Sequence, residues 1–257
     1  MPEGDTIYGA ARRIRTALVG KQIASIETHR RFSRDRWPER LGGRGVRAVD
    51  TKGKHLFIRF DGGLTLHSHL RMTGWWGVYE RGRRWSKSPR RAWLVIRTDE
   101  HEVVQFGGPV LELMTDSRSR IDARIARLGP DILADQFDDA AFLRRLREDD
   151  PTRGIGDALL DQRNVCGIGN LWKAEACFIA GVDPWRRVGE VTDEEALATV
   201  HAVRPLMLRS AKGGGHVREP LVFDRRDRPC GRCGARIRAR GQGDDNRTTY
   251  WCPGCQV

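Results

Sequence analysis

Residues 230–255 read CGRCGARIRARGQGDDNRTTYWCPGC, two CxxC pairs separated by 18 residues. Thiolates at Cys230, Cys233, Cys252 and Cys255 can wrap one tetrahedral Zn2+, each pair supplying one edge. Glycine and proline in or beside the pairs permit the tight knuckles, and the intervening segment suits a short β-hairpin. Four sulfurs leave no open coordination position. The ion is therefore expected to be structural, holding a hairpin too small to fold alone. The hairpin carries Arg236, Arg238, Arg240 and Arg247. Cys166 and Cys177 stand apart from any cysteine partner and are expected to be small core residues.

The 257-residue chain has a formal net charge of +12, which calls for a polyanion: nucleic acid, an anionic membrane face or an acidic protein. Arginine outnumbers lysine 40 to six, and its planar fork grips phosphate bidentately. GC-rich coding also raises arginine, so the net charge carries more weight than the bias. No apolar run is long enough to span a bilayer, and the N-terminus lacks an apolar signal core. A cytoplasmic protein is expected, associated with the nucleoid when on DNA. There, paired CxxC spacings mean metal rather than disulfides.

Upstream of the finger the texture changes twice. Ile7, Ala10, Ala11, Ile14, Ala17 and Leu18 recur at helical spacing, and Gly20 suits the stop. From Gln22 to about Thr115, short apolar runs (HLFIRF, LTLHSHL, AWLVIR, HEVVQF) alternate with glycine breaks. That pattern predicts a sandwich of two sheets. RWPERLGGRG (36–45) and ERGRRWSKSPRR (80–91) read as exposed connections. After Ser117 helices follow: one marked by Ile121, Ile125 and Leu128, one with a stripe of Ala141, Phe142 and Leu146, then GIGDALLDQ, NLWKAEACFIA and a long one from Val191. Thr192 and Glu195 form a capping box for the last, and Pro205 is expected to kink or split it. The glycines at 213–215 mark a break: a plain linker, or with His216 and Arg218 a loop over a bound base. The class is α+β and multidomain, divided at 1–117, 118–220 and 221–257.

The opening MPEGDTIYGA adds chemistry. A proline in second place permits removal of the initiator methionine, exposing a secondary amine; with Met1 in place Pro2 is an amide and cannot attack. At a reference pKa of about 7.8, roughly one α-amine in seven is neutral at pH 7, against about one lysine in 2,500. A neutral amine beside DNA can attack C1′ of a nucleotide whose base is leaving. The resulting iminium acidifies the 2′ C–H, so the 3′ phosphate can be eliminated. Glu3 could move the protons; alternatively it is a first-turn acid favouring its own helix dipole.

The start PEG, the stretch KGKHL (52–56), LLDQRNVCGIGNLWKAEA (159–176) and the end RTTYWCPGCQ (247–256) occur in one order. Together they resemble the formamidopyrimidine-DNA glycosylase/endonuclease VIII (Fpg/Nei) family, whose order is β-sandwich, helix–two-turn–helix domain and zinc finger. PEG favours the endonuclease VIII-like branch. The resemblance implies a monomeric DNA glycosylase with AP lyase activity in base excision repair, acting on damaged DNA. It implies that Pro2 forms the iminium, that Glu3 protonates the sugar ring or leaving group, and that Lys54 contacts the DNA at the lesion from a β-turn. It implies that Arg247 and Asn170 hold phosphates beside the lesion. The lesion must leave the stack, and in HLRMTGWW (69–76) Met72 resembles the family's wedge, with Arg71 assisting.

From the residues alone these positions have plainer readings. Lys54 could be an exposed charge at a strand start, with Lys52 on the same face. Arg247 could be one more solvated finger charge. GIGN offers a helix start whose amides can meet a phosphate, or a plain inter-helix turn. Met72 in a strand would belong in a core. His67 and His69 share a strand face but lack a third ligand, so a core or surface role is expected. Of Trp75 and Trp76, at least one should be core. The basic charge and finger also fit a non-catalytic zinc-ribbon nucleic-acid binder or a degenerate repair scaffold.

The chain also departs from the family. Asp5-Thr6 replace its second acid near the start, so Asp5 must substitute or the site does without. GGPVLELM (107–114) stands where the formamidopyrimidine branch carries an arginine- and phenylalanine-bearing loop. This argues against 8-oxoguanine opposite cytosine and leaves oxidised pyrimidines, or lesions in single-stranded or bubble DNA.

Overall fold

The computed structural model describes residues 2–213 and 219–257, and the chain forms two compact units. One comprises Pro2 and Thr6–Ala126, the other Glu3–Asp5 and Arg127–Val257. The suggested loop role of Gly214, Gly215, His216 and Arg218 falls outside the described residues, as does Met1.

Helix α1 (Gly4–Leu18) buries Ile7, Ala10, Ala11, Ile14, Ala17 and Leu18 along one stripe, as the spacing predicts. Gly20 takes φ +78°, a left-handed stop that suits glycine. The strands of the first unit are β1 (Ser25–Thr28), β2 (Val46–Lys52), β3 (His55–Phe60), β4 (Leu64–His69), β5 (Trp75–Glu80), β6 (Ala92–Arg97), β7 (His101–Phe106) and β8 (Val110–Thr115). They make two four-stranded antiparallel sheets, ordered β1-β6-β7-β5 and β2-β3-β4-β8. Their inner faces meet α1 in one apolar core, with Val49, Ile58 and Leu66 from one sheet and Trp76, Ile96 and Val103 from the other. The sandwich reading holds.

Two expectations for this unit change. RWPERLGGRG is no bare connection: Trp37–Leu41 is a short helix, α2, with Pro38 in its first turn and Trp37 and Leu41 buried. Trp37 stacks on Phe32 at 4.6 Å. The helix expected across Ile121–Leu128 is broken into α3 (Asp116–Ile121) and α4 (Ala123–Ala126), and Ile121 is exposed. Asp122 breaks it: its carboxylate accepts the Arg124 amide at 2.9 Å, a local bond that competes with helix.

In the second unit, α5 (Asp139–Glu148) buries Phe142 and Leu146, while Ala141 is half-buried. GIGDALLDQ yields one turn only, α6 (Ile155–Ala158); the Gln162 amide takes the Leu160 carbonyl and closes the segment as a turn. Helix α7 (Asn170–Ala180) follows, then α8 (Asp193–Gly213). The capping box is present, with Glu195 N–H donating to Thr192 Oγ1 at 3.2 Å and Thr192 N–H to Glu195 Oε2 at 2.8 Å. Pro205 does not split α8. Buried Val200 and Val203 before it and Met207 and Ala211 after it keep both halves on one packed face.

The finger strands β9 (Arg238–Gln242) and β10 (Arg247–Trp251) form the expected hairpin. Cys230, Cys252, Ile237 and Val222 pack with Ala174 and Phe178 of α7. Cys166 and Cys177 are fully buried. No described helix is long and apolar enough to cross a membrane.

Candidate active site

The N-terminus of α7 organises the candidate residues of the second unit. Glu3, 2% exposed, lays its carboxylate across it. Gly169 N–H donates to Oε2 at 2.9 Å, Leu171 N–H to Oε1 at 2.9 Å and Trp172 N–H to Oε2 at 3.3 Å. Amides without intrahelical partners and the positive end of the helix dipole both favour an anion here. Glu3 therefore serves α7 rather than the first turn of α1, and the amides of Gly169, Leu171 and Trp172, the first of them within GIGN, are taken by a carboxylate and not open to a phosphate. Close approach explains the glycines. A Cβ on Gly169 would lie 2.3 Å from the Glu3 carboxyl carbon, and one on Gly4 would lie 2.9 Å from Gly167 backbone. Gly4 N–H donates to Gly167 carbonyl at 2.8 Å. Half-buried Pro2 precedes Glu3 directly. Asp5 is buried, and its carboxylate accepts the Ser210 hydroxyl of α8 at 2.6 Å.

The side chains of α7 reach the finger. Asn170 Nδ2 donates to the Thr248 carbonyl at 2.8 Å, beside Arg247 at the start of β10. Arg247 is exposed, with Nη2 at 3.5 Å from Asp245. Asn170 and Arg247 thus lie together in one unit with Glu3. Lys173, which the sequence reading passed over, is fully buried and donates from Nζ to Thr249 Oγ1 at 2.5 Å; that hydroxyl donates to Gln242 Oε1 at 2.8 Å. Burial pulls the Lys173 pKa down to about 8, against the opposing pull of Cys177, Asp157 and Glu3. Glu175 accepts the amides of Leu221, Val222 and Phe223 at 2.8–3.0 Å. The available signal was a lysine and a glutamate inside an otherwise apolar helix.

In the first unit, Lys54 sits in the two-residue turn Gly53–Lys54 between β2 and β3, with Gly53 at φ +57°. Lys52 and Lys54 do not share a strand face: Lys52 ends β2 and points Nζ at the Ile125 carbonyl, 3.5 Å away. Arg71 (φ +51°) and Met72 occupy the turn after β4, and Arg71 N–H donates to His69 Nδ1 at 3.1 Å. His55 pairs with His69 across β3 and β4, so both turns lie at the same end of the sheet and bring Lys54, Arg71 and Met72 together. Met72 is in a turn and 58% exposed, which removes the core reading. Trp76 is core at 1% exposure, Trp75 is not.

His67 and His69 are joined by His55, whose Nδ1 lies 2.8 Å from His67 Nε2; His67 Nδ1 lies 3.7 Å from Glu112. Burial, then the charges of neighbouring histidines and arginines, lowers the His55 pKa to about 3. Burial, Arg71 and Lys54 lower that of His69 to about 4. Among the described residues, the cysteines alone form a metal-competent group. Their four Sγ atoms lie within 4.8 Å of one another, with Cys233–Cys252 at 3.4 Å and Cys230–Cys255 at 3.8 Å. A tetrahedron with metal–sulfur bonds of about 2.3 Å has edges of about 3.8 Å, so this cluster can hold a metal ion.

The formamidopyrimidine-DNA glycosylase N-terminal domain model matches residues 1–110, and the H2TH domain model of the same enzymes matches 128–220. Over 270 residues the chain is 40% identical to a probable endonuclease 8 2 of Streptomyces coelicolor, spanning 100% of this chain and 94% of that protein. The chain belongs to the formamidopyrimidine-DNA glycosylase family. It is 35% identical over 265 residues to the DNA-(apurinic or apyrimidinic site) lyase Nei2 of Mycolicibacterium smegmatis, spanning 100% and 99% of the two. It is 31% identical over 278 residues to the formamidopyrimidine-DNA glycosylase of Thermus thermophilus, spanning 100% and 98%. The family fold is seen in Lactococcus lactis Fpg complexed with N7-benzyl-Fapy-dG-containing DNA, at TM-score 0.84 and 23% identity over 99% of each chain.

Proposed function

We propose that this chain is a monomeric DNA glycosylase/AP lyase that acts in the cytoplasm, at the nucleoid, in base excision repair. It removes oxidised bases, pyrimidines foremost, from damaged DNA and nicks the strand. The observation that carries this reading is Glu3: a buried carboxylate, next in sequence to the candidate amine, pinned by the Gly169, Leu171 and Trp172 amides at the start of α7.

After removal of Met1, the Pro2 nitrogen attacks C1′ of the extruded nucleotide. The C1′–N bond to the base breaks, and the base leaves with that electron pair and takes up a proton. Glu3 supplies the proton to the sugar ring or leaving group. Ring opening gives the C1′ iminium, loss of a 2′ proton follows, and the C3′–O bond breaks to release the 3′ phosphate. Lys54 contacts the DNA at the lesion, Arg247 and Asn170 hold the adjacent phosphates, and Met72 with Arg71 fills the vacated stack. The four cysteines hold one Zn2+, which stiffens the hairpin bearing Arg247 and takes no chemical step. We assign these tasks to three functional domains, residues 1–117, 118–220 and 221–257. The short connection between β7 and β8, residues 107–109, where the formamidopyrimidine branch carries an arginine- and phenylalanine-bearing loop, supports pyrimidine lesions over 8-oxoguanine opposite cytosine.

The test is borohydride trapping on duplexes carrying defined oxidised bases, with intact-mass measurement of the first residue. A covalent adduct is expected with the Pro2 terminus and none with Pro2→Gly or retained Met1. Processed protein that binds but traps on no lesion is a zinc-ribbon binder or a degenerate scaffold, and the lyase reading fails.

A further inference from the structure

Trp75 opens β5, three residues after Met72, and is 37% exposed on the edge strand of its sheet. The segment that follows β5, residues 81–91, reads RGRRWSKSPRR: six cations and no acid in 11 residues. It folds as a flap over the outer face of that sheet. Trp85 packs edge-on to Phe106 at 5.9 Å and donates from Nε1 to Glu102 at 2.8 Å. The hydroxyls of Tyr79 and Ser86 meet at 2.7 Å. Beneath lies a small apolar cluster of Val95, Val104 and Phe106. The flap is therefore held by its own contacts before any ligand arrives.

Its charges differ from the arginines of the sheet strands and of α4. Arg47, Arg59, Arg97 and Arg124 are engaged by Asp116, Asp50, Glu27 with Glu102, and Glu112 with Asp122. On the flap, Arg83 pairs with Glu80, but Arg84, Arg90 and Arg91 are exposed and make no ion pair among the described residues. Lys87 places Nζ 5.6 Å from the centre of the Trp75 ring. A groove of about 630 Å3 runs along Arg83, Arg84, Lys87 and Trp85.

We propose that Trp75 and the Arg81–Arg91 flap form a binding surface for unpaired nucleotides flanking the lesion, so that bubbles, forks and single strands are preferred substrates. Charge alone would fit any phosphate backbone. The exposed indole decides between them, because a paired base keeps its faces within the duplex stack while an unpaired base offers a face to an aromatic ring. Lys87, whose Nζ lies over the ring, then turns to the phosphate of the stacked nucleotide. The inference rests on the DNA-repair reading above and names its substrate context.

The experiment measures Kd for one strand bearing a tetrahydrofuran abasic analogue, presented as a full duplex, as a bubble unpaired around the lesion, and alone. Trp75→Ala is expected to weaken bubble and single-strand binding by about 5- to 100-fold, the range for losing one base–aromatic stack, and duplex binding less than twofold. Trp75→Phe should retain most of the preference. Arg84→Ala with Lys87→Ala should lower the slope of log Kd against log salt on the bubble by about 0.7 per lost phosphate contact. Equal losses on duplex and bubble, or no loss on either, with an unchanged melting temperature, overturn the proposal. Failure of borohydride trapping by the wild-type protein would sink the lyase chemistry instead and leave this binding difference intact.

Discussion

A carboxylate that accepts three backbone amides has little room to move, and Glu3 is in that position. Glu3→Gln keeps the shape but turns an NH2 group toward amide donors. We expect a stability loss of about 1–3 kcal/mol in denaturant titration and a fall in base excision of about 10²–10⁴-fold. Full-speed excision by Glu3→Gln would remove the acid from the mechanism. Gly169→Ala separates position from identity: it leaves Glu3 in the sequence yet drives a methyl group into its carboxyl, 2.3 Å from the ideal Cβ. The same loss of excision is expected, and unimpaired activity would show that the clamp does not matter. The sequence made Glu3 a candidate, but its partners lie 166 to 169 residues away. They are backbone amides, which every residue but proline carries, so no pattern of side chains could announce them.

At the scale of elements, two polar layers bury titratable groups in packed surroundings, and each has a pH signature. On α7, Lys173 is buried with its pKa drawn down to about 8. Between there and the ordinary 10.5 the unfolded chain binds more protons than the folded one, so Lys173 makes stability rise with pH across that window. The unfolding free energy of wild type minus that of Lys173→Met should climb from pH 8 to pH 10; a flat difference would mean that the amine is not desolvated. On the outer face of β3 and β4, His55 acts with the same sign at the acid end. Its folded pKa of about 3 lies below the unfolded 6.5. Its contribution is complete above pH 6.5 and is lost as pH falls toward 3, with a slope of at most about 1.4 kcal/mol per pH unit for one proton. His55→Asn should flatten acid denaturation between pH 6.5 and 4, read by circular dichroism. The sequence paired His67 with His69 by alternation. His55 entered only through the β3–β4 register, a pairing that strand periodicity does not disclose.

Across the whole molecule, what could be read early was what repeats. Alternating strands, the stripe of α1 and the cysteine spacing each follow from a period, and each survives in the structure. The short helices α2, α4 and α6 hold too few turns to show one, and Asp122 and Gln162 end segments through side-chain bonds rather than through glycine or proline. Charge is the property that belongs to the chain as a whole: a surplus of 12 positive charges should make DNA affinity fall about 10³–10⁵-fold between about 50 and 200 mM salt if roughly 6–10 phosphates are contacted. A shallow slope in filter binding would contradict the nucleic-acid reading.

Metal removal probes how far the finger depends on the rest. Cys230 and Cys252 pack with Ile237 against Ala174 and Phe178, while Asn170 and Lys173 hold Thr248 and Thr249 of β10. These contacts give the hairpin an apolar and a polar seat on α7, but 18 residues between cysteine pairs bury too little surface to fold unaided. Stripping the proposed zinc with an organomercurial should therefore release β9 and β10 and loosen Arg247, costing the charge-assisted phosphate contact proposed for it and about 10- to 100-fold in affinity for lesion DNA. The β-sandwich has its own core and should keep its thermal transition. Native mass spectrometry should count one zinc per chain before treatment and none after. If the stripped protein bound lesion DNA as tightly as the holoprotein, the seat on α7 would be enough to hold Arg247 and the cysteines would be dispensable for binding.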